Sequence, residues 1–184
     1  SFNQPIGSWD LSNAIYMPRM FFEATSFNQP IGSWNVSQVK NMAYMFTRAT
    51  SFNQPIGNWD VSSVTDMSGM FLGDKLSTAN YDNLLSGWAS NLTLQSNVNF
   101  SGGDSNYCNG LTAHDFLLKS YGWVITDGGI DCTTLGNDNF NLDSVILYPN
   151  PVSNVLNIKI DTNYNINESY IVSDIIGKII LKGK

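Results

Sequence analysis

Residues 1–25 read SFNQPIGSWDLSNAIYMPRMFFEAT. This stretch returns as SFNQPIGSWNVSQVKNMAYMFTRAT at residues 26–50 and as SFNQPIGNWDVSSVTDMSGMFLGDK at residues 51–75. A fixed period of this length is typical of a solenoid, because one unit is too small to bury its own apolar face and must stack on its neighbours. The repeat therefore predicts a solenoid over residues 1–76.

Aligned, the three units share twelve identical positions, in the pattern S-F-N-Q-P-I-G-x-W-x-x-S-x4-M-x-x-M-F. Stacked units place equal positions above one another, so the apolar positions predict core ladders. We interpret the tryptophan ladder in this way as well; the alternative is an exposed aromatic platform for carbohydrate. The asparagine ladder is expected to satisfy turn backbone groups inside the coil. These two ladders are Trp9, Trp34, Trp59 and Asn3, Asn28, Asn53.

Within each unit the spacing of apolar residues changes. The run from Ile31 to Val39 alternates roughly every two residues and predicts a short strand with a bend. Met42, Met45 and Phe46 then follow at i, i+3 and i+4, which predicts a single helical or 3₁₀ turn.

The positions that differ between units are the better candidates for an outer, ligand-binding surface. They belong to the columns at 15/40/65, 16/41/66, 19/44/69 and 23/48/73. For any single residue the alternative is ordinary solvated surface. The candidate interaction residues are Tyr16, Arg19, Lys40, Tyr44, Arg48, Thr65 and Asp66.

Composition narrows the class of protein. Charged residues make up 13% of the 184-residue chain, about half the usual ~25%, and Asn, Ser, Thr and Gly replace them, as is common in exported β-rich proteins. The formal net charge of -6 and nine scattered Lys and Arg argue against a nucleic-acid surface. No apolar stretch approaches the ~20 residues of a membrane span. We expect a piece of a longer protein, because the chain starts without Met at the first residue of a repeat.

Residues 77–132 break the repeat and are expected to form a small α+β cap on the solenoid. Apolar spacing predicts helices over Tyr81–Trp88, capped by Ser77, Thr78 or Asn80, and over Leu111–Tyr121, capped by Thr112. Strands are predicted at Leu92–Leu94, Val98–Phe100 and Trp123–Ile125.

The cap contains both cysteines and the only histidine. An even count in a chain that looks exported favours a Cys108–Cys132 disulfide, which would contribute roughly 3 kcal/mol; the alternative is two buried free thiols. His114 without a positioned nucleophile does not predict catalysis. Asp104, Asp127 and Asp131 resemble turn residues, and the spacing of a calcium loop is absent. We expect no metal and no cofactor.

The polar residues 133–144 are predicted to be a linker, and residues 145–184 an incomplete all-β, sandwich-like domain. Strands are expected within Val152–Ile160, at Tyr170–Asp174 and from Ile179 onward.

The pattern FNQPIGxWxVSxVxxMxxMF resembles BspA-like bacterial surface proteins, a 25-residue variant of leucine-rich repeats. The resemblance covers residues 1 to about 76 and departs at Asp74 and Lys75, where the other units have Ala and Thr. It implies an α/β leucine-rich-repeat-like solenoid and a role in adhesion or macromolecular binding, with a protein or polysaccharide ligand at the cell surface.

The tail LYPNPVSNVLNIKI with the later VSDIIGKII resembles the C-terminal sorting domain of the Bacteroidetes type IX secretion system. The resemblance implies an upstream Sec signal, recognition by the type IX machinery and a secreted or outer-membrane surface location. The residues that carry it are Tyr148, Pro149, Asn150, Pro151, Asp174, Gly177 and Lys178.

Together these features predict a non-catalytic, exported repeat protein that binds a macromolecule. Two alternatives stay open. One is an accessory or spacer region of a larger exported enzyme, and the other is a solenoid that binds carbohydrate through its tryptophans.

Overall fold

The computed structural model describes residues 2–91 and 93–133, together with four strands further along the chain. The chain divides into two compact units, Ser1–Asn137 and Asp138–Lys184. Because the linker predicted at 133–144 lies outside the described residues except for Thr133, its conformation stays a prediction.

The three 25-residue units lie side by side and are joined by backbone hydrogen bonds at nearly constant offset. The amides of Met17, Arg19, Phe21 and Glu23 donate to carbonyls of the second unit, and the equivalent four amides of that unit donate to the third. Isolated parallel bridges link Tyr16 to Asn41 and Asn41 to Asp66. Equal positions therefore do stand one above another.

The path of the chain within a unit differs from the expectation. The described part of the second unit contains no strand over Ile31–Val39, and neighbouring units meet through the single bridges instead. Met42, Met45 and Phe46 lie in consecutive reverse turns closed by i to i+3 hydrogen bonds, such as Met45 N–H to Met42 C=O at 3.2 Å. A helical turn is prevented because Tyr44 has a φ of 57°, and a left-handed residue ends right-handed helical geometry.

The invariant apolar positions form a continuous core. Both methionine columns are buried in the second and third units. The phenylalanine rings stack from unit to unit, with centroids 5.4 Å apart for Phe21 and Phe46 and 5.3 Å apart for Phe46 and Phe71. Stacked rings of this kind contribute about 0.5–1.5 kcal/mol beyond the area they bury.

The segment after the repeats continues the stack with regular elements. Helix α1 spans Thr78–Ala89, strand β1 Asn99–Ser101, helix α2 Leu111–Tyr121 and strand β2 Val124–Thr126. β1 and β2 are parallel, and Phe100 of β1 bridges Met67 of the third unit. β1 therefore occupies the place that a fourth repeat would take.

The predicted bounds of α2 are confirmed, and the other predictions for this segment hold in part. α1 begins three residues before the predicted Tyr81, at Thr78, and β1 lies one residue later than predicted, at Asn99–Ser101. Ser77 caps α1 and accepts from the Asn80 amide at 3.3 Å, as expected. Thr112 does not cap α2, whose N-cap is Gly110. Thr93 and Leu94 are not in a strand, and Leu92 lies outside the described residues. The third predicted strand begins one residue later, at Val124.

The second compact unit contains four described strands in two antiparallel pairs. β3, Val145–Tyr148, pairs with β4, Asn157–Ile160. β5, Tyr170–Ser173, pairs with β6, Ile179–Gly183. β4, β5 and β6 coincide with predicted strands. No strand was predicted at β3, which ends at Tyr148, the first residue of the sorting motif. The other six motif residues lie outside the described residues.

Candidate functional site: the outer face of the repeat units

Two columns on the outside of the repeat units have an unusual backbone conformation. Arg19, Glu23, Tyr44 and Arg48 all have φ between 55° and 58°. The third unit has Gly69 and Gly73 at the same positions, with φ of 63° and 69°. A left-handed conformation costs a non-glycine residue roughly 1–2 kcal/mol. The first two units therefore hold large side chains where glycine would be less strained.

These side chains interact with one another across the units. The Arg19 guanidinium lies 5.3 Å from the Tyr44 ring centroid and 5.8 Å from that of Phe22. The Tyr44 ring lies against Gly69, where an added Cβ would come within 2.4 Å of the ring. Arg48 forms an ion pair with Glu23 at 3.0 Å. The contacts of Arg19 with Tyr44, of Tyr44 with Gly69 and of Glu23 with Arg48 join one unit to the next, whereas Arg19 and Phe22 belong to the same unit.

We use the name outer face for the four variable columns at 15/40/65, 16/41/66, 19/44/69 and 23/48/73. Among its large hydrophobic side chains Tyr16 is the most exposed, at 69%. Asn41 donates to the Asp66 carboxylate at 3.2 Å, and Thr65 donates to the Lys40 carbonyl at 3.0 Å. Of the seven candidate residues, six are exposed and Asp66 is half-buried. The structure therefore brings all seven to one surface.

The invariant tryptophans are not part of an exposed platform. Trp34 and Trp59 are only 4% and 3% exposed and their rings stack. Their indole N–H groups donate to the carbonyls of Ile6 and Ile31, each at 3.1 Å. The interpretation as core is confirmed for these two, whereas Trp9 is 50% exposed. A three-tryptophan carbohydrate platform is therefore wrong.

The asparagine column fastens neighbouring units together, but on the surface and not inside the coil. The Asn3 side-chain oxygen accepts from the Asn28 amide at 3.0 Å, and Asn28 accepts from the Asn53 amide at 2.9 Å. Asn53 accepts in turn from the Ser77 amide at the start of the cap. All three asparagines are exposed. Their predicted backbone role is confirmed, and their predicted location was wrong.

A second cluster of polar residues lies in the cap. His114 Nε2 is 3.4 Å from Asp127 Oδ2, which also accepts from the Tyr81 hydroxyl at 2.7 Å. The imidazole stacks on the Tyr107 ring at 4.6 Å. Burial, reinforced by the Asp127 charge, raises the pKa of Tyr81 well above its ordinary value. The cluster joins α1, α2 and the turn after β2, so we interpret it as a structural cross-link.

Asp82 is the residue that sequence reasoning missed. Its carboxylate accepts from the amides of Cys108, Asn109 and Gly110 at 2.9, 3.0 and 2.7 Å. These amides precede α2, so a side chain of α1 fixes the turn that leads into α2, while the first turn of α2 has no side-chain cap. The spacing of Leu84, Leu85 and Trp88 predicts the helix that contains Asp82 but not the partners of its carboxylate. Those partners are more than twenty residues away in the sequence.

Cys108 and Cys132 form the predicted disulfide, with Cα atoms 5.0 Å apart. The bond reinforces a bridge between Tyr107 and Ile130. Asp127 and Asp131 accept from amides two residues ahead, as turn residues do.

In the part of the chain that the structure describes, no three His, Cys, Asp or Glu side chains are placed to hold a metal ion. Within the same part, no helix is long and apolar enough to span a bilayer.

Comparison with known families gives two matches. Residues 146–184 match the secretion system C-terminal sorting domain. The chain is therefore a protein exported by type IX secretion, and it is located at the cell surface or outside the cell. Residues 1–105 match the family described as Mycoplasma protein of unknown function, DUF285. The chain belongs to this family, since the match covers more than half of its length. No curated protein and no solved structure matches it.

Proposed function

We propose that this protein is an exported, non-catalytic repeat protein that binds a macromolecule through its outer face. In this proposal the repeats form a leucine-rich-repeat-like solenoid, and residues 77–132 form its C-terminal cap. The tail at residues 145–184 contacts the type IX machinery. Adhesion is the cellular role that such a surface would serve.

The observation that carries the proposal is the strained backbone beneath the outer face. Four large side chains, two in each of the first two units, stand at positive φ although glycine fits the same positions in the third unit. Strain of this kind persists where it positions groups for a purpose, and it clusters at binding sites. Since these side chains are exposed, the core does not require them.

The third unit supplies a matched way to test this face. A variant with Lys40→Thr, Tyr44→Gly and Arg48→Gly gives the second unit the side chains that the third unit already has at Thr65, Gly69 and Gly73. The fold should therefore tolerate it. A control with Ser33→Asn and Gln38→Ser also copies the third unit, but at exposed positions outside the four columns.

Beads coated with the full chain are passed over surfaces that present collagen, mucin, alginate or chitin, and retention is counted. We expect at least one surface to retain wild-type and control beads and to release beads with the outer-face variant. Equal retention of all three proteins, or no retention on any surface, would contradict the proposal. The latter outcome would favour the alternative of an accessory region in a larger exported enzyme.

A further inference from the structure

The charges of the repeat units are unevenly distributed. Residues 1–73 contain three cationic side chains, Arg19, Lys40 and Arg48, and all three lie on the outer face. Arg48 is neutralised by Glu23. Among the described residues, neither Arg19 nor Lys40 forms a side-chain ion pair or hydrogen bond. Two positive charges without an ion-pair partner therefore occur on the outer face, beside the single carboxylate of Asp66, which forms no ion pair among the described residues either. The net charge of the whole chain is -6.

Apolar and aromatic side chains are exposed on the outer face or next to it. Tyr16 and Ile15 belong to its columns, Phe22 contacts Arg19, and Leu72 precedes Gly73 in the chain. Each of these four side chains is more than two-fifths exposed. The guanidinium of Arg19 lies over Phe22 and Tyr44, which limits its motion and leaves its N–H groups without a partner in the described structure. Aromatic residues and arginine are the side chains most enriched at the centres of protein interfaces.

We propose that the outer face binds an acidic protein segment in which carboxylates alternate with apolar or aromatic residues. Carboxylates of the partner pair with Arg19 and Lys40, and its apolar side chains cover Tyr16 and Phe22. An acidic polysaccharide offers the same charge but lacks side chains that would cover Ile15, Phe22 and Leu72. The exposed apolar area therefore favours a protein.

This inference rests on the proposed function and specifies its partner class. The probe is an immobilised random copolymer of glutamate and tyrosine, with polyglutamate and polygalacturonate presented in parallel. Binding of the full chain is measured by biolayer interferometry at low and high salt. We expect the copolymer to bind most tightly, polyglutamate less, and polygalacturonate least, with binding weakened by salt because exposed charges are screened.

The test variant is Arg19→Gly with Lys40→Gln, which removes both cations that lack an ion-pair partner. Glycine is already accommodated at the equivalent Gly69. The control is Lys75→Gln with Lys119→Gln, which removes two charges elsewhere: Lys75 contacts Asn106, and Lys119 pairs with Asp115 on α2. We expect the test variant to lose affinity for the copolymer at least about tenfold, since charge-assisted hydrogen bonds are the strong ones, and the control to bind like the wild type.

Tighter binding to polygalacturonate than to the copolymer would overturn the partner class, and equal loss in test and control variants would overturn the assigned residues. If no polyanion binds, the inference is wrong. The bead assay then separates the two proposals: retention that depends on the outer face leaves the proposed function standing, and its absence removes both.

Discussion

The two ends of the repeat stack offer the same side chains in different surroundings. At the cap end, the indole of Trp88 donates to the Ile56 carbonyl at 3.3 Å, in the way that Trp34 and Trp59 donate to the preceding units. In the first unit, Trp9 belongs to the same column, but no described residue accepts from its indole in this way, and it is half exposed. A repeat residue is therefore not buried by its own unit. Its burial depends on a neighbour.

The backbone hydrogen bonds also show how each unit depends on the element that follows it. Amides of the first unit at residues 17, 19, 21 and 23 donate to the second unit, whereas the third unit's Met67 and Phe71 donate to β1 of the cap. The cap thus provides carbonyls in the register of a further repeat. β1 therefore copies the hydrogen-bonding pattern of a repeat without its sequence.

The largest expected effect on stability comes from replacing a buried tryptophan of the ladder, compared with the same replacement at the exposed Trp9. Trp34→Ala should lower the free energy of unfolding by about 3–5 kcal/mol, as loss of a buried large aromatic does. Trp9→Ala should cost roughly half of that or less, since its side chain is half exposed. Urea denaturation of both variants measures the difference. Equal losses would show that burial does not depend on the neighbouring unit.

Loss of the disulfide should weaken the capped end. Replacing Cys108 and Cys132 by alanine removes the constraint on a 24-residue separation and should lower stability by roughly 3 kcal/mol. Thermal unfolding with and without reductant gives the value. If the reduced wild type and the double variant were both as stable as the oxidised protein, the disulfide would have no stabilising role.

Asp82 should contribute somewhat less. Asp82→Ala leaves three buried or half-buried amides without their acceptor, at a cost of about 1–3 kcal/mol. Asn at this position keeps one acceptor oxygen and should cost less. Hydrogen exchange should become faster first at residues 108–110. Exchange that changes equally over the whole stack would contradict a local role for Asp82 in the turn before α2.

The pH dependence of stability should reveal the junction between repeats and cap. Burial raises the pKa of Asp74 to about 6 from its ordinary 3.8, and this residue replaces Ala24 and Ala49 of the other units. The folded state then binds the proton more tightly than the unfolded state, so stability falls as pH rises from about 4 to 6. Asp74→Asn should be less pH-dependent in this window and more stable at pH 7. A wild type whose stability rises with pH there, with no change in the variant, would contradict this.

The smallest effect is expected on the outer face. Glu23→Gln breaks the exposed ion pair with Arg48 and should change stability by less than about 1 kcal/mol. A larger loss in chemical denaturation would mean that the outer face supports the fold and is not free for binding.

Sequence alone predicted the elements that depend on local or repeated patterns. The bounds of α2 and the cap of α1 follow from helical spacing and a serine, and the disulfide follows from a pair of cysteines. The failures have a common cause. The strand expected over Ile31–Val39 is absent because the chain turns there and the units meet through single bridges. The helical turn after Met42 was replaced by turns with positive φ at Tyr44 and Arg48, a conformation that neither residue type signals. Asp82 was missed because its partners are distant in sequence.

The candidate residues of the outer face were predicted from their variation between units, and their exposure agrees with that reasoning. Sequence could not reveal the stacking of Arg19 on Tyr44 or the strain beneath both residues. These depend on the offset between units, which places position 19 of one unit above position 44 of the next.

The most direct test of the account is to give Trp9 a neighbour. A second copy of residues 26–50 is inserted ahead of residue 1, and iodide quenching of tryptophan fluorescence and urea denaturation are compared with the parent chain. Variants with Trp34, Trp59, Trp88 and Trp123 replaced by Phe in both proteins, and Phe at the inserted tryptophan, isolate the Trp9 signal. The account predicts that Trp9 becomes protected from iodide and that stability rises. A Trp9 that stays quenchable, with unchanged stability, would contradict the claim that burial in these repeats comes from the neighbouring unit.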